Sequence, residues 1–222
     1  MMINLEKDVE RVNDTLKKKK QVINCEVASV LDCSLSAEPF YTNGFYQSVV
    51  ERCLPIAMVV DNDKKIDSWI FDTRFKKMLT ITVDNISNYI NNFVKSHCTW
   101  GGTLYTPVLE DVLKTFKAEK HWLSWKKSKR SPVLVLFYTD GENGDTGNFT
   151  KFLLDTTRDN LFIQIIGIGI SDNIKEKMST IARSHHHVGF IAMDTIKAID
   201  DEDLYDGLIS NKFITWYNQF KG

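Results

Sequence analysis

Residues 26–36 read EVASVLDCSLS, an apolar segment that passes directly into a polar one. Its first six residues are mostly apolar and include the β-branched Val27 and Val30, which predicts a buried strand. Asp32, Ser34 and Ser36 follow in the loop directly after that strand. A second run has the same form, because residues 132–138 predict an apolar strand and Asp140 comes two residues later.

In the rest of the chain, predicted apolar strands alternate with predicted amphipathic helices. The pattern predicts further strands at 66–71, 77–82, 161–168 and 188–193, a loop at 32–43, and helices at 44–60, 85–97, 174–184, from 106 onward, and at 203–220 with Asp203 as N-cap. Continuous apolar strands between helices are typical of a mostly parallel sheet flanked by helices on both faces. Right-handed crossovers then give a doubly wound, Rossmann-like α/β fold.

The N-terminal residues predict an appended helix. Leu5, Val9, Val12 and Leu16 recur at helical spacing over residues 3–16. Because four lysines follow directly, we interpret them as the basic, solvated end of that helix. We expect residues 1–24 to be a helical extension packed on a domain formed by 25–222.

Composition restricts the class of protein. The 222 residues are 43% hydrophobic and 26% charged with a formal net charge of −1, as in ordinary globular proteins without a general attraction to nucleic acid or anionic lipid. The apolar runs are short compared with the roughly 20 residues of a membrane span, and the acidic start is unlike a signal peptide. Widely spaced cysteines without a CxxC pair indicate reduced thiols. These features predict a cytoplasmic protein without direct membrane insertion.

We expect side chains from three loops at one edge of the sheet to form a single ligand site. Ligands bind at the carboxyl ends of strands in doubly wound sheets, where we place Asp32, Ser34, Ser36 and Asp140. Thr103 follows a glycine pair before a predicted helix. All five side chains offer hard oxygen donors, which favour Mg²⁺, with Mn²⁺ or Ca²⁺ as alternatives. Since only two are charged, such an ion would keep part of its charge and could bind a carboxylate of another molecule.

This set resembles the metal-ion-dependent adhesion site (MIDAS) of von Willebrand factor A (vWA) domains. The matching parts are Asp32-x-Ser34-x-Ser36, Thr103 and Asp140-Gly141. The resemblance implies that the hydroxyls touch the metal, that the aspartates bind it directly or through water, and that an acidic residue of a partner completes the shell.

Longer stretches resemble the vWA domains of bacterial tellurium-resistance proteins of the TerF and TerY kind. They are 41–55 (YTNGFYQSVVERCLP), 61–63, 68–71, 102–108, 137–141, 165–169 and 201–206. This likeness implies a metal-dependent protein-interaction module, not an enzyme, within a tellurium-resistance or stress-response complex.

Two departures and two alternative functions remain. The vWA motif often has glycine and methionine where Leu35 and Ala37 stand, so the loop could differ and a metal-free scaffold stays an alternative. A Mg²⁺-dependent phosphohydrolase is the other. Against it, Ser34 stands where aspartyl phosphatases have a second aspartate, and no histidine directly follows a core strand to act as base.

Other polar clusters favour structural interpretations. His185, His186 and His187 point in different directions in a regular element, so we expect a polar loop and not one metal site. We interpret Cys33 as a small core-facing residue, and Glu142 and Asp145 as a solvated loop, with an acidic rim around the metal as alternative. The basic and aromatic residues 117–131 predict an exposed connection, and nucleic-acid binding there is the less favoured hypothesis.

Overall fold

The computed structural model describes residues 5–117, 130–141, 143–193 and 200–221. Its centre is a six-stranded sheet in the order β3-β2-β1-β4-β5-β6. The strands are β1 (Glu26–Asp32), β2 (Asp67–Phe71), β3 (Phe75–Lys77), β4 (Val133–Thr139), β5 (Leu161–Ile168) and β6 (Val188–Met193). All neighbours pair in parallel except β2 and β3, which are antiparallel. The predicted doubly wound, mostly parallel sheet is thereby confirmed.

Helices cover both faces of the sheet. They are α1 (Leu5–Lys18), α2 (Glu38–Thr42), α3 (Phe45–Val60), α4 (Thr106–Lys117), α5 (Thr146–Asp155), α6 (Asp172–Ser184), α7 (Asp201–Leu208) and α8 (Asn211–Lys221). One apolar core joins Val27 and Leu31 of β1 to α1, α3, α7 and α8. The other joins Ala28 and Val30 to α4, α5 and α6. Successive β1 residues therefore serve opposite cores, as strand geometry requires.

Helix α1 packs on the outside of α3 and α7. Its inward residues Val12 and Leu16 belong to the first core. Arg11 forms an ion pair with Asp201 of α7, and Asp201 also accepts from Nε of Arg52 on α3 at 2.8 Å. The three helices thus meet at one carboxylate.

The region between β2 and α4 differs from the sequence prediction. The strand predicted at 77–82 is wrong in position, because a tight turn after β2 starts β3 at Phe75. Asp72 closes that turn, with Oδ1 accepting from the amide of Arg74 at 2.7 Å. The helix predicted at 85–97 is reduced to a π-helical turn, Ile90–Val94, and a 3-10 turn, Lys95–His97. Asn88 has a left-handed φ of 58°, which prevents the helix from starting earlier.

Three further predictions are corrected. The loop at 32–43 contains a 3-10 turn, Leu35–Ala37, and the short helix α2. Helix α5 was not predicted. The closing helix is two helices, and its N-cap is Asp200 and not Asp203, since Asp200 Oδ1 accepts from the amide of Glu202 at 2.6 Å. Ser210 Oγ accepts from the amide of Phe213 at 3.2 Å and thereby caps the N-terminus of α8.

None of the helices in the described ranges combines the length and the apolar character needed to cross a lipid bilayer.

Candidate functional site

The candidate site lies where the strand order reverses. Strands β1 and β4 are neighbours in the sheet, although β2 and β3 come between them in the chain. Asp32 is the last residue of β1, and Asp140 directly follows β4. The carboxyl edge at such a switch point is open, because the adjoining connections leave toward opposite faces.

Asp32 is held rigidly by three hydrogen bonds. Its side chain is fully buried. Oδ1 accepts from the amide of Ser34 at 2.9 Å, and Oδ2 accepts from Oγ1 of Thr139 at 3.0 Å. The phenol of Tyr41 donates to the Asp32 carbonyl at 2.9 Å. The orientation of this carboxylate is therefore set before any ligand binds.

Two serine hydroxyls and a second carboxylate stand beside it. The Oγ atoms of Ser34 and Ser36 lie 3.2 Å apart. Oδ1 of Asp140 is buried and has no hydrogen-bond partner in the described part of the chain. A buried carboxylate oxygen without a partner is costly unless a cation or proton approaches it.

The two carboxylates share one electrostatic environment. Burial and, to a smaller extent, the charge of Asp140 raise the pKa of Asp32 to about 7, against the hydrogen bonds from Ser34 and Thr139 that lower it. Burial also raises the pKa of Asp140, although the hydroxyls of Ser36 and Ser34 and the side chain of Asp32 lower it. These four side chains of the predicted set therefore meet at one place that favours added positive charge.

The loop that carries Thr103 lies across this edge. Gly101 forms a parallel bridge with Ser34, and its carbonyl accepts from the amide of Leu35 at 3.0 Å. The carbonyl of Thr103 accepts from the amide of Gly144 at 2.8 Å, in the connection after Asp140. The backbone of residues 101–103 thus links the two aspartate loops.

Close packing explains the glycine at position 101. A Cβ there would lie 3.1 Å from Oδ2 of Asp72, which follows β2. The preceding Trp100 has a left-handed φ of 52°, and its ring packs edge-on against Tyr41 at 5.2 Å. A strained, non-glycine backbone at a loop of this kind is held by its surroundings.

Several supporting residues were not predicted. The phenol of Tyr105 lies 2.7 Å from Oγ1 of Thr139 and donates to the Gly141 carbonyl at 2.7 Å. Asp145 accepts from the amides of Tyr105 and Thr106 at 3.0 and 2.9 Å, so it caps α4. Burial opposes its ionisation, but the bonds from these amides and from Nδ2 of Asn143 leave its pKa lowered.

That role of Asp145 corrects the predicted solvated loop. Its partners are about 40 positions away in sequence, so no local pattern could have indicated it. Glu142, predicted with it, lies outside the described residues.

The departures from the common motif are accommodated. Leu35 begins the 3-10 turn with an ordinary φ and leaves 64% of its side chain exposed, so no glycine is needed there. Ala37 is buried. Cys33 is buried in the first core, as interpreted. Its thiol contacts that of Cys98, and this contact together with burial raises the pKa of Cys33.

None of the other polar clusters in the described ranges brings a set of metal ligands together. Among the described residues, no group of three or more histidine, cysteine, aspartate or glutamate side chains converges. His186 is exposed, but His187 is buried, which corrects the expectation of a wholly polar loop. The tryptophans and lysines of 118–129 lie outside the described residues.

Similarity to known proteins assigns the fold and the family of this chain. The fold is similar to that of a solved von Willebrand factor type A protein of Catenulispora acidiphila, at a TM-score of 0.54 and 12% identity over 87% of this chain. This is a vWA-like domain. A family model of the vWA domain found in the TerF C terminus matches residues 24–222, so the chain belongs to the vWA-TerF-like family.

Two further comparisons extend this assignment. The chain is 27% identical over 211 residues to the uncharacterized protein YcbR of Bacillus subtilis, covering 92% of this chain and 82% of that protein. Proximal thread matrix protein 1 of the mussel byssus shares the fold at a TM-score of 0.59 and 15% identity over 84% of this chain. Another structure of that mussel protein has a zinc-occupied MIDAS motif. The chain spans less than half the length of these solved chains, at 47% and 42%.

Proposed function

We propose that this chain is a metal-dependent protein-interaction module. One divalent cation would be held by the side chains of Asp32, Ser34, Ser36, Thr103 and Asp140. The observation that carries the proposal is the buried, unpartnered Oδ1 of Asp140 beside the fixed carboxylate of Asp32 and two hydroxyls. Such a pair of raised-pKa carboxylates is stabilised by a cation.

The donor types select the ion. Carboxylate and hydroxyl oxygens are hard ligands, which suit Mg²⁺ and, less closely, Mn²⁺ or Ca²⁺. The zinc in the mussel relative supports a divalent site in this fold without deciding the ion here. A bound ion with two carboxylates and neutral hydroxyls would remain a Lewis acid able to take a further oxygen ligand.

The partner follows from that residual charge. A glutamate or aspartate of another protein supplies the matching anionic oxygen, and the exposed Leu35 adds an apolar contact beside it. The kinship with TerF supports a partner within a tellurium-resistance or stress-response complex. We place the module in the cytoplasm, where its four free cysteines stay reduced, with no role in nucleic-acid binding or membrane insertion.

A defined probe tests this function. The full chain is mixed with a fluorescent peptide of glycine and serine that carries one glutamate, and polarisation is followed with Mg²⁺ or with chelator. We expect binding that disappears with chelator and in Asp140→Ala, and that persists in the surface control Glu176→Gln. Equal binding with and without chelator would contradict the proposal.

An enzymatic role is less well supported. In the described residues, no histidine lies among the contacts of Asp32, Ser34 or Asp140 to act as a general base. A serine hydroxyl needs a general base to become a nucleophile. Turnover of p-nitrophenyl phosphate with Mg²⁺ that is abolished by Asp32→Ala would favour the phosphohydrolase instead.

A further inference from the structure

A cavity lies beside the candidate metal site, at the carboxyl end of β2. Its volume is about 240 Å³, and Cys33, in the metal-site loop, forms part of its wall. Asp32 is in register with Phe71, and the Phe71 carbonyl accepts from the amide of Cys33 at 2.8 Å. The cavity and the metal-site loop are therefore neighbours on the same sheet edge.

Basic side chains line this cavity. Arg74, Lys76 and His97 are all exposed and contribute to its wall together with Thr99. Arg74 donates to Oγ1 of Thr99 at 3.1 Å, and Nζ of Lys76 lies 3.1 Å from Nδ1 of His97. These bonds bring the two cationic groups of Arg74 and Lys76 to the walls of one space.

In the described part of the chain, no acid forms an ion pair with either of these two cations. The ion pairs found among the described residues include neither Arg74 nor Lys76. Asp72 also lines the cavity, but it is buried, and its oxygens accept from the Arg74 amide and the Thr99 hydroxyl. Guanidinium and ammonium donors consequently remain for an external anion.

We propose that these four residues form a second anion-binding position, the basic subsite (Arg74, Lys76, His97 and Thr99). It would bind another carboxylate of the same partner segment whose first carboxylate reaches the metal. This inference rests on the proposed function and specifies its partner as a segment with two acids.

The size of the cavity supports a side chain as occupant. Pockets for whole small-molecule ligands are about 300–1,000 Å³, so 240 Å³ suits one acidic side chain better. The planar fork of Arg74 matches a carboxylate in two-point contact. Phe75, whose side chain is 42% exposed, also lines the space and offers apolar contact to the methylenes of that side chain.

The spacing of the two acids follows from the sheet. Adjacent strands are about 4.8 Å apart, which places the metal-site loop and the basic subsite on the order of 5–10 Å from each other. An extended peptide advances about 3.3 Å per residue, and residues i and i+2 share a face. A Glu-x-Glu segment therefore fits the pair of positions.

The test uses three fluorescent glycine–serine peptides on the full chain with Mg²⁺. They carry one glutamate, Glu-x-Glu, or two glutamates separated by six residues. We expect Glu-x-Glu to bind about tenfold more tightly than the single-glutamate peptide, the gain of one charge-assisted pair. The widely spaced peptide should gain little.

The double variant Arg74→Gln, Lys76→Gln should abolish that gain and leave single-glutamate binding unchanged. The matched control Lys17→Gln, Lys65→Gln removes two exposed lysine charges away from the site, and it should keep the gain. Metal affinity, measured by calorimetry, should be the same in all three proteins.

The outcomes separate the two claims. Metal-dependent binding of the single glutamate without a gain from the second acid would overturn the basic subsite alone. A gain that needs Arg74 and Lys76 but not Mg²⁺ would support the subsite and contradict the metal-dependent function. Binding of a single-stranded RNA oligomer that is lost in the double variant, with no gain for Glu-x-Glu, would assign these cations to nucleic acid and overturn the proposal.

Discussion

Asp140 is the residue on which the candidate site depends most. Its Oδ1 is buried without a partner, and its charge raises the pKa of the neighbouring Asp32. In the metal-free chain two carboxylates therefore repel each other inside a desolvated edge. A chain that keeps this arrangement gives up stability, which natural proteins do mainly at functional sites.

Replacing this carboxylate by an amide separates stability from metal binding. With chelator at pH 8, we expect Asp140→Asn to be more stable than the wild type by on the order of 1 kcal/mol, because the repulsion is removed. Urea unfolding measures this difference, with Glu176→Gln as an exposed charge-removal control. Mg²⁺ at a hundredfold excess over its Kd should stabilise the wild type by about 2.7 kcal/mol and the variant not at all. A variant less stable with chelator would show that Asp140 has a stabilising partner without metal.

At the scale of elements, the sequence predicted those parts whose pattern is local. Strands β1 and β4 are apolar runs with polar residues at their ends, so both the strands and the positions of Asp32 and Asp140 could be predicted. Other features depend on distant contacts. Thr139 bonds to Asp32 across 107 positions, and Ile90 donates its amide to Oε1 of Gln47 across 43. The turn closed by Asp72 likewise decided where β3 begins.

Helix α1 should contribute measurably to stability through its inward face. Val12 of α1 is fully buried in the first core. Val22, which follows the helix, is 91% exposed. We expect Val12→Ala to lower the free energy of unfolding by about 2 kcal/mol, from lost burial and a cavity. Val22→Ala, the matched control, should change it by less than about 0.5 kcal/mol. Equal effects in urea unfolding would mean that α1 is not packed as described.

The connection between α6 and β6 should make the free energy of unfolding depend on pH. Burial, with smaller contributions from His186, His185 and Lys212, lowers the pKa of His187 from 6.5 to about 4, against a weak opposing effect of Asp159. The unfolded chain then binds the proton more strongly, so stability is complete above pH 6.5 and falls as the pH decreases toward 4.

Removing the buried imidazole tests that dependence. In the wild type, protonation of His187 should lower the free energy of unfolding by about 3 kcal/mol between pH 6.5 and 4. His187→Leu should lack this decrease, as measured by urea unfolding of both proteins. The exposed neighbour in His186→Gln should keep the wild-type slope. Parallel pH profiles for His187→Leu and the wild type would contradict the burial of a neutral His187.

At the scale of the whole molecule, the sheet order brings separate loops to one edge. Asp32 ends β1 and Asp140 directly follows the adjacent β4. The Thr103 loop contacts both connections, through the bridge of Gly101 to Ser34 and through the bond from the Gly144 amide to the Thr103 carbonyl. The basic subsite lies one strand further along the same edge. The proposed metal position and the proposed partner position thus share a single face of the domain.

The metal site can be examined by calorimetric titration of the full chain with Mg²⁺ and Mn²⁺. The wild type is compared with Thr103→Ala and Asp140→Ala, which remove donors from two separate loops of the candidate site. We expect one divalent ion per wild-type chain and loss of that binding in both variants. Binding by either variant as tight as in the wild type would contradict the proposed metal site.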